Sequence, residues 1–168
     1  MLSAVRLNRP ATTPQDAEVL AGALAPLLSG GAAVASYVPV GGEPGLPPRP
    51  GWLLPVLLPD GDLDWAAYDG RLAPGRYGLL EPVGPRLGRD AVARCAVVLV
   101  PALAVDGAGR RLGRGGGSYD RALARARGLL VAVLHDGELL EQVPVEDHDV
   151  PVHAVVSPST GLLRLAAG

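Results

Sequence analysis

The stretch "CAVVLVPALAV", residues 95–105, followed by "RRLGRGGGSYDRAL", residues 110–123, decides the fold. The first run is the most hydrophobic in the chain, which predicts a central strand buried on both faces. The second run is rich in glycine and arginine and becomes helical near Ser118. One side of that helix is apolar: Tyr119, Ala122, Leu123 and Ala126. A buried strand followed by a loop and a helix is typical of an α/β sheet.

Working outward, a first helix and further apolar strands flank this segment. Thr13 can cap a helix, Pro14 suits its first position, and the apolar face extends to Leu28. Pro26 is expected to disturb the last turn. Strands are predicted in four more runs, at residues 32–40, 52–59, 129–135 and 153–157. Pro55 suggests that the second of these is an edge strand or contains a bulge.

Residues 60–94 are polar and rich in glycine and proline, so we expect irregular structure there. Elsewhere strands alternate with helices, and this alternation favours parallel pairing. No internal repeat is visible. We therefore predict one domain over residues 1–168, with a three-layer α/β/α architecture around a largely parallel central sheet.

Composition excludes several classes of protein. The net charge of −2 and the absence of phenylalanine argue against a nucleic-acid partner. The single cysteine, Cys95, lies in an apolar run and allows neither an internal disulfide nor a cysteine-based zinc site. All 15 basic residues are arginine, so no lysine is present to bind phosphate. With no secretory signal and no membrane-length apolar run, we expect a cytoplasmic monomer.

The glycine-rich loop has the properties of a phosphate site. Gly113 and Gly115–Gly117 let the backbone approach a ligand closely, and a helix that begins near Ser118 directs its free N–H groups into the loop. Arg110, Arg111 and Arg114 add charges that bind phosphate in a two-pronged manner. Asp120 would repel phosphate unless Mg²⁺ lay between them. The alternative is a solvated loop with an ordinary first-turn aspartate.

The segment "VPALAVDGAGRRLGRGGGSYDRAL" resembles the signature of the 5-formyltetrahydrofolate cyclo-ligase family. The similarity continues in order through "ASYVPVGGEPG", "LLPVLLPDGDLDW", "RYGLLEP" and "VPVEDHDVPV", and covers roughly residues 33–160. The resemblance implies an enzyme that uses ATP and Mg²⁺ to convert 5-formyltetrahydrofolate to 5,10-methenyltetrahydrofolate. The formyl oxygen would be phosphorylated, N10 would attack the activated carbon, and phosphate would leave.

The resemblance also implies roles for individual residues. The ATP phosphates would lie against a continuous segment: Arg111, Leu112, Gly113, Arg114, Gly115, Gly116, Gly117, Ser118 and Tyr119. Within it, Arg114 and Tyr119 would be catalytic. Asp120 would hold Mg²⁺. Glu43, Tyr77 and Tyr119 would contact the folate. For Glu43 the alternative is a solvated loop charge, and for both tyrosines it is packing.

Some positions depart from the family pattern. The family has a Lys-x-x-x-Arg-like pair near its N-terminus, whereas here only Arg6 or Arg9 is present to replace it. A tyrosine of the family is Ser118 here, and a second acidic metal position falls at His153, which leaves Asp149 as another carboxylate. His135 and His148 are interpreted as structural. These departures leave an alternative open, in which the chain is a non-catalytic relative that binds a nucleotide or a folate.

Overall fold

The computed structural model describes residues 9–113, 117–144 and 149–165. Its α-helices are α1 (Pro14–Leu28) and α2 (Ser118–Arg125), and 3₁₀ turns occupy Arg76–Gly78 and Arg89–Arg94. The main sheet contains β1 (Val34–Ala35), β2 (Leu53–Leu57), β3 (Leu63–Ala67), β6 (Val97–Pro101), β9 (Leu129–Val133), β11 (Ala154–Ser157) and β12 (Gly161–Arg164). The smaller pairings contain β4 (Leu72–Pro74), β5 (Leu80–Pro82), β7 (Ala104–Asp106), β8 (Arg111–Leu112) and β10 (Leu139–Leu140).

The main sheet has the order β12-β11-β9-β6-β1-β2-β3. The five central strands, from β11 to β2, are parallel to one another, whereas the edge strands β12 and β3 pair antiparallel with β11 and β2. The predicted α/β class with a largely parallel central sheet is therefore confirmed.

Strand β6 shows why the sheet is covered on both faces. Val97 and Leu99 belong to a core cluster that includes the apolar side of α1. Val98 and Val100 belong to a second cluster, which includes Ala122 and Leu123 of α2. Since successive side chains of a strand point to opposite faces, an uninterrupted apolar run must be buried on both. The predicted three layers follow from this one strand.

Helix α1 begins where its capping residue predicts. The Thr13 side chain accepts a hydrogen bond from Asp16 N at 3.0 Å, and Pro14 occupies the first helical position. Pro26 lies inside the last turn without ending the helix, which continues to Leu28. Within the described ranges, neither helix is long and apolar enough to cross a bilayer.

The prediction of irregular structure across residues 60–94 is wrong. Strands β3, β4 and β5 lie in this segment, and β3 pairs along its whole length with β2. The sequence does not reveal β3, because its few apolar residues lie among aspartates and glycines, which are typical of turns. Trp65 and Ala66 are nevertheless completely buried.

Pro55 lies inside the sheet, so the prediction of an edge strand is wrong. Strand β2 has β1 on one side and β3 on the other. The parallel pairing with β1 stops after Ser36 N donates to Leu53 O at 2.9 Å. The next bond of a parallel ladder would require residue 55 to donate to Ser36 O, and proline has no N–H. The sequence therefore ends the β1–β2 pairing at this point.

Asp62 anchors α2 to the sheet edge. Its carboxylate accepts two hydrogen bonds from the Arg125 guanidinium, at 2.8 and 2.6 Å, and one from Leu63 N at 2.8 Å. The side chain is only 4% exposed. The Arg125 hydrogen bonds hold the pKa of Asp62 below its usual range, although burial opposes this effect.

We expect Asp62→Asn to lower the free energy of unfolding by about 2–4 kcal/mol at pH 7, because it removes the buried anion that accepts two hydrogen bonds from Arg125. A carboxyl with a depressed folded pKa contributes stability above its unfolded pKa, and this stability is lost as the pH falls. The difference in free energy of unfolding between wild type and variant should therefore be about 1 kcal/mol smaller at pH 3 than at pH 5. Urea unfolding at both pH values tests this, with the exposed Asp69→Asn as a control that should show little change.

Candidate functional site

The candidate site lies outside the carboxyl ends of the parallel strands, next to β1. Strand β1 is the point where strand order reverses, since β2 and β3 extend the sheet on one side and β6, β9 and β11 extend it on the other. Ligands of open α/β sheets bind in the crevice at such a point. Here the pairing of β1 with β2 ends before Pro55, and Pro55 lines the crevice.

A cavity of about 240 Å³ occupies this crevice. The end of β1 and the loop after it form one wall of the cavity, and β2 forms its floor. The β4–β5 turn forms a second wall, and the start of α2 forms a third. The lining includes Tyr37, Glu43, Pro55, Arg76, Leu79 and Tyr119. Most of this surface is apolar, with a few polar groups, which is typical of a site for a small organic molecule.

Glu43 is buried although it lies in a loop rich in proline and glycine. Only 8% of the residue is exposed, and its Oε1 accepts a hydrogen bond from Val40 N at 3.0 Å. In return, Glu43 N donates to Val40 O at 3.1 Å, which closes a tight turn. No helix follows this loop before β2, yet the carboxylate still reaches the cavity. The alternative of a solvated loop charge is therefore wrong.

Tyr119 lies between the cavity and the core. Its ring packs against both core clusters, and its buried hydroxyl has no hydrogen-bond partner among the described residues. Burial raises the pKa of Tyr119 far above its ordinary value and the Glu43 carboxylate raises it further, while Arg111 opposes both. The phenol is therefore neutral at physiological pH and can donate a hydrogen bond to a ligand.

Arg111 and Asp120 form a charged pair at the start of α2. Arg111 Nη2 lies 3.3 Å from Asp120 Oδ1, and Arg111 Nη1 donates to Pro101 O at 3.0 Å. The same guanidinium lies 5.9 Å from the centroid of the Tyr119 ring. Asp120 is the third residue of α2, so its carboxylate lies beside the positive end of the helix.

The described glycines of the loop leave room beside this pair. A Cβ at Gly113 would lie 2.8 Å from Arg111 Nη1, so a side chain there would displace the guanidinium. Gly117 precedes α2 with a φ of 73° and has open space around it. Ser118 begins α2, as the sequence predicted, whereas Leu112 belongs to a short strand, β8, that the sequence did not predict. Arg114, Gly115 and Gly116 lie outside the described residues, as does His148.

Three residues lie away from the places that the sequence suggested. Tyr77 is 89% exposed and does not line the cavity, because its left-handed backbone, with φ 56°, turns it out at the tip of the β4–β5 turn. His153 accepts a hydrogen bond from Leu130 N at the amino end of β9, opposite the candidate site. Arg110 binds the buried Asp106 of its own hairpin at 2.7 Å.

The carboxylate donors near the glycine loop fit Mg²⁺ only if a nucleotide supplies further oxygen ligands. Among residues 9–113, 117–144 and 149–165, no group of three histidine, cysteine, aspartate or glutamate side chains is arranged to hold a metal. One carboxylate, that of Asp120, lies beside the glycine loop. Mg²⁺ commonly takes one or two protein carboxylates together with phosphate oxygens and water, so this donor set agrees with a nucleotide-borne ion.

Two parts of the site were missed from the sequence. The first is the wall formed by Arg76 and Leu79, which lies in the segment RYGLLEP, where only Tyr77 was predicted to contact a ligand. The second is a buried cluster of Arg9, His135 and Glu138 beside the Glu43 loop. No local pattern marks the second cluster, because Arg9 and Glu138 are 129 residues apart.

Comparisons with known proteins show the family and the fold of this chain. A model of the 5-formyltetrahydrofolate cyclo-ligase family matches residues 50–158. The chain is 42% identical over 166 residues to 5-formyltetrahydrofolate cyclo-ligase of Mycolicibacterium smegmatis, covering 89% of this chain and 86% of that one. It is 38% identical over 113 residues to the Escherichia coli K12 enzyme of the same name, covering 63% of this chain and 62% of that one. The NMR structure of Aquifex aeolicus 5,10-methenyltetrahydrofolate synthetase superposes with a TM-score of 0.73 at 27% identity, covering 99% of this chain and 89% of that one.

Proposed function

Since this chain belongs to the 5-formyltetrahydrofolate cyclo-ligase family, we propose that it is a ligase that closes 5-formyltetrahydrofolate to 5,10-methenyltetrahydrofolate with ATP and Mg²⁺. ATP phosphorylates the formyl oxygen, N10 attacks the activated carbon, and phosphate leaves, so that ADP and phosphate are the other products. The observation that carries the proposal is one cavity in which a buried carboxylate and an unpartnered phenol lie beside an arginine–aspartate pair at a helix start.

Glu43 and Tyr119 bind the folate in this proposal. A pterin presents adjacent N–H donors, and a carboxylate accepts two of them at once. The neutral hydroxyl of Tyr119 then satisfies its hydrogen bond on the substrate, which removes the cost of a buried unpaired donor. The apolar surface between these groups covers the ring system and excludes water.

Arg111, the glycine loop and Asp120 bind the nucleotide end. In the proposal, backbone N–H groups at the start of α2 and the Arg111 guanidinium bind the phosphate oxygens, and the Asp120 carboxylate would hold Mg²⁺. Positioning and charge neutralisation carry most of phosphoryl transfer, so no protein nucleophile is required. The catalytic role of Arg114 stays a prediction, as do the cytoplasmic location and the monomeric state.

The direct test is to mix purified protein with Mg-ATP and 5-formyltetrahydrofolate and to record the near-ultraviolet spectrum. The product has an absorption band there that the substrate lacks. We expect the band to grow only when both ATP and Mg²⁺ are present. Measurable ATP binding without this band would instead favour the non-catalytic relative.

We expect Glu43→Gln to raise the KM for 5-formyltetrahydrofolate by about 10- to 100-fold, because an amide replaces one acceptor of a charge-assisted pair by a donor. The KM for ATP should stay within about twofold, since Glu43 does not reach the nucleotide end in the proposed arrangement. Steady-state kinetics with each substrate varied in turn measures both values. Glu18→Gln, on the exposed side of α1, is the control; an unchanged folate KM in Glu43→Gln would remove Glu43 from the folate site.

A further inference from the structure

We propose that Arg9, His135 and Glu138 form a positioning cluster that fixes the loop bearing Glu43 and so determines the affinity for the folate. The inference deepens the proposed function and rests on it, because it assigns the folate-binding role to Glu43. None of the three side chains lines the cavity, so the cluster acts through the loop rather than on the substrate.

The centre of the positioning cluster is the Glu138 carboxylate, which is buried and fully engaged. Arg9 Nε donates to its Oε2 at 2.9 Å, and Arg9 Nη2 donates to its Oε1 at 3.0 Å. His135 N donates to the same Oε1 at 2.8 Å. The side chains of Arg9 and Glu138 are 6% and 8% exposed, so the pair is shielded from water and its geometry is fixed.

The cluster is tied to the main sheet at two strand ends. Arg9 Nη2 also donates to Ala102 O at 2.7 Å, just beyond β6. His135 follows β9, and Glu138 O accepts a hydrogen bond from Val105 N in β7 at 3.1 Å. A group held at several points of a rigid sheet moves little, so anything bound to the cluster is positioned with the same precision.

The cluster holds the Glu43 loop through Gly42 in two ways. His135 Nε2 lies 2.7 Å from Gly42 O; because a carbonyl can only accept, the imidazole donates this hydrogen bond. The backbone of Arg9 also packs directly on Gly42, where a Cβ would lie 2.3 Å from Arg9 O. Gly42 is the residue before Glu43, so both contacts fix the backbone from which the carboxylate extends.

This arrangement also explains what Arg9 does in a chain without lysine. Arg9 Nε and Nη2 donate to Glu138 and Ala102 O, and its Nη1 is buried with no partner among the described residues, so none of the three nitrogens is exposed to a triphosphate. The interpretation of Arg9 as a replacement for the nucleotide-binding pair of the family is therefore not supported. Its contacts lead to the folate side of the site.

A double-mutant cycle tests whether Glu138 acts through Glu43. We expect Glu138→Gln to raise the folate KM about tenfold, with kcat at saturating folate reduced by no more than about threefold and the ATP KM unchanged. In a Glu43→Gln background the same substitution should have almost no further effect on the folate KM, because residues that act as a unit are not additive. Asp136→Asn, an exposed carboxylate in the same turn, is the matched control and should leave the folate KM unchanged.

The His135 variants decide the question if Glu138→Gln fails to fold. His135→Leu removes the donor to Gly42 O and should raise the folate KM, whereas His135→Gln retains a donor and should restore a value near wild type. An unchanged folate KM in Glu138→Gln or, if that variant fails to fold, in His135→Leu overturns the proposal, and so do fully additive effects in the cycle. If Glu43→Gln itself has no effect, the proposed folate site fails; if it has its effect and the cluster variants do not, only the positioning cluster fails.

Discussion

Asp120→Asn should lower kcat by about 100- to 1000-fold, the loss seen when one preorganised electrostatic group is removed from a reaction that develops charge. The substitution keeps the size of the side chain and its hydrogen-bonding oxygen, but it removes the charge that pairs with Arg111 at 3.3 Å. The Mg²⁺ concentration required for half-maximal activity should rise at least about tenfold, since Mg²⁺ prefers a carboxylate to an amide.

The chain offers a matched control for this experiment. Asp16 is the third residue of α1, as Asp120 is of α2, so Asp16→Asn removes the same charge from the same position of a helix. It should leave kcat and the Mg²⁺ dependence unchanged. If kcat falls in Asp120→Asn while the Mg²⁺ dependence stays at the wild-type value, Asp120 acts on Arg111 alone and the metal assignment is wrong.

Trp65→Ala should lower the free energy of unfolding by about 3–5 kcal/mol, the largest stability change that we expect from a single substitution. Trp65 is completely buried in β3, where it packs in the core cluster that also contains Val92 and Leu123. Alanine would leave a cavity between the sheet edge and α2. Urea unfolding followed by the fluorescence of Trp52, the other tryptophan, measures the change.

Trp65→Phe separates the contribution of packing from that of polarity. The indole Nε1 of Trp65 is buried and has no hydrogen-bond partner among the described residues. Phenylalanine removes this unpaired donor, which costs about 1–3 kcal/mol in the wild type, and keeps most of the apolar contact. We therefore expect a loss well under half of that caused by alanine. A loss in Trp65→Phe of more than half of that in Trp65→Ala would show instead that the indole N–H has a hydrogen-bond partner in the folded protein.

Local sequence patterns predicted the helices and the central strand, whereas contacts between residues distant in sequence could not be predicted. Thr13 and Pro14 marked the start of α1, and the run at residues 95–105 predicted a strand buried on both faces, because capping and burial depend on neighbouring residues. The pairing of Arg9 with Glu138 depends on how the strands are ordered in the sheet. No periodic pattern in the sequence encodes that order.

The candidate site was predictable to a similar extent. A glycine loop before a helix indicates an anion site by itself, and the structure adds the Arg111–Asp120 pair to it. The orientation of Tyr77 was not predictable, since its outward turn depends on a left-handed backbone at the tip of β4–β5. The burial of Glu43 was equally hidden, because a loop rich in proline and glycine suggests exposure unless its contacts are known.

The imino acid in the middle of β2 has a consequence for how substrate enters. Because residue 55 offers no amide hydrogen, it cannot donate the next hydrogen bond of the β1–β2 ladder, and the pairing of the two strands ends at Leu53. If the folate binds in this cleft, as we propose, little of its binding energy is spent on separating the two strands.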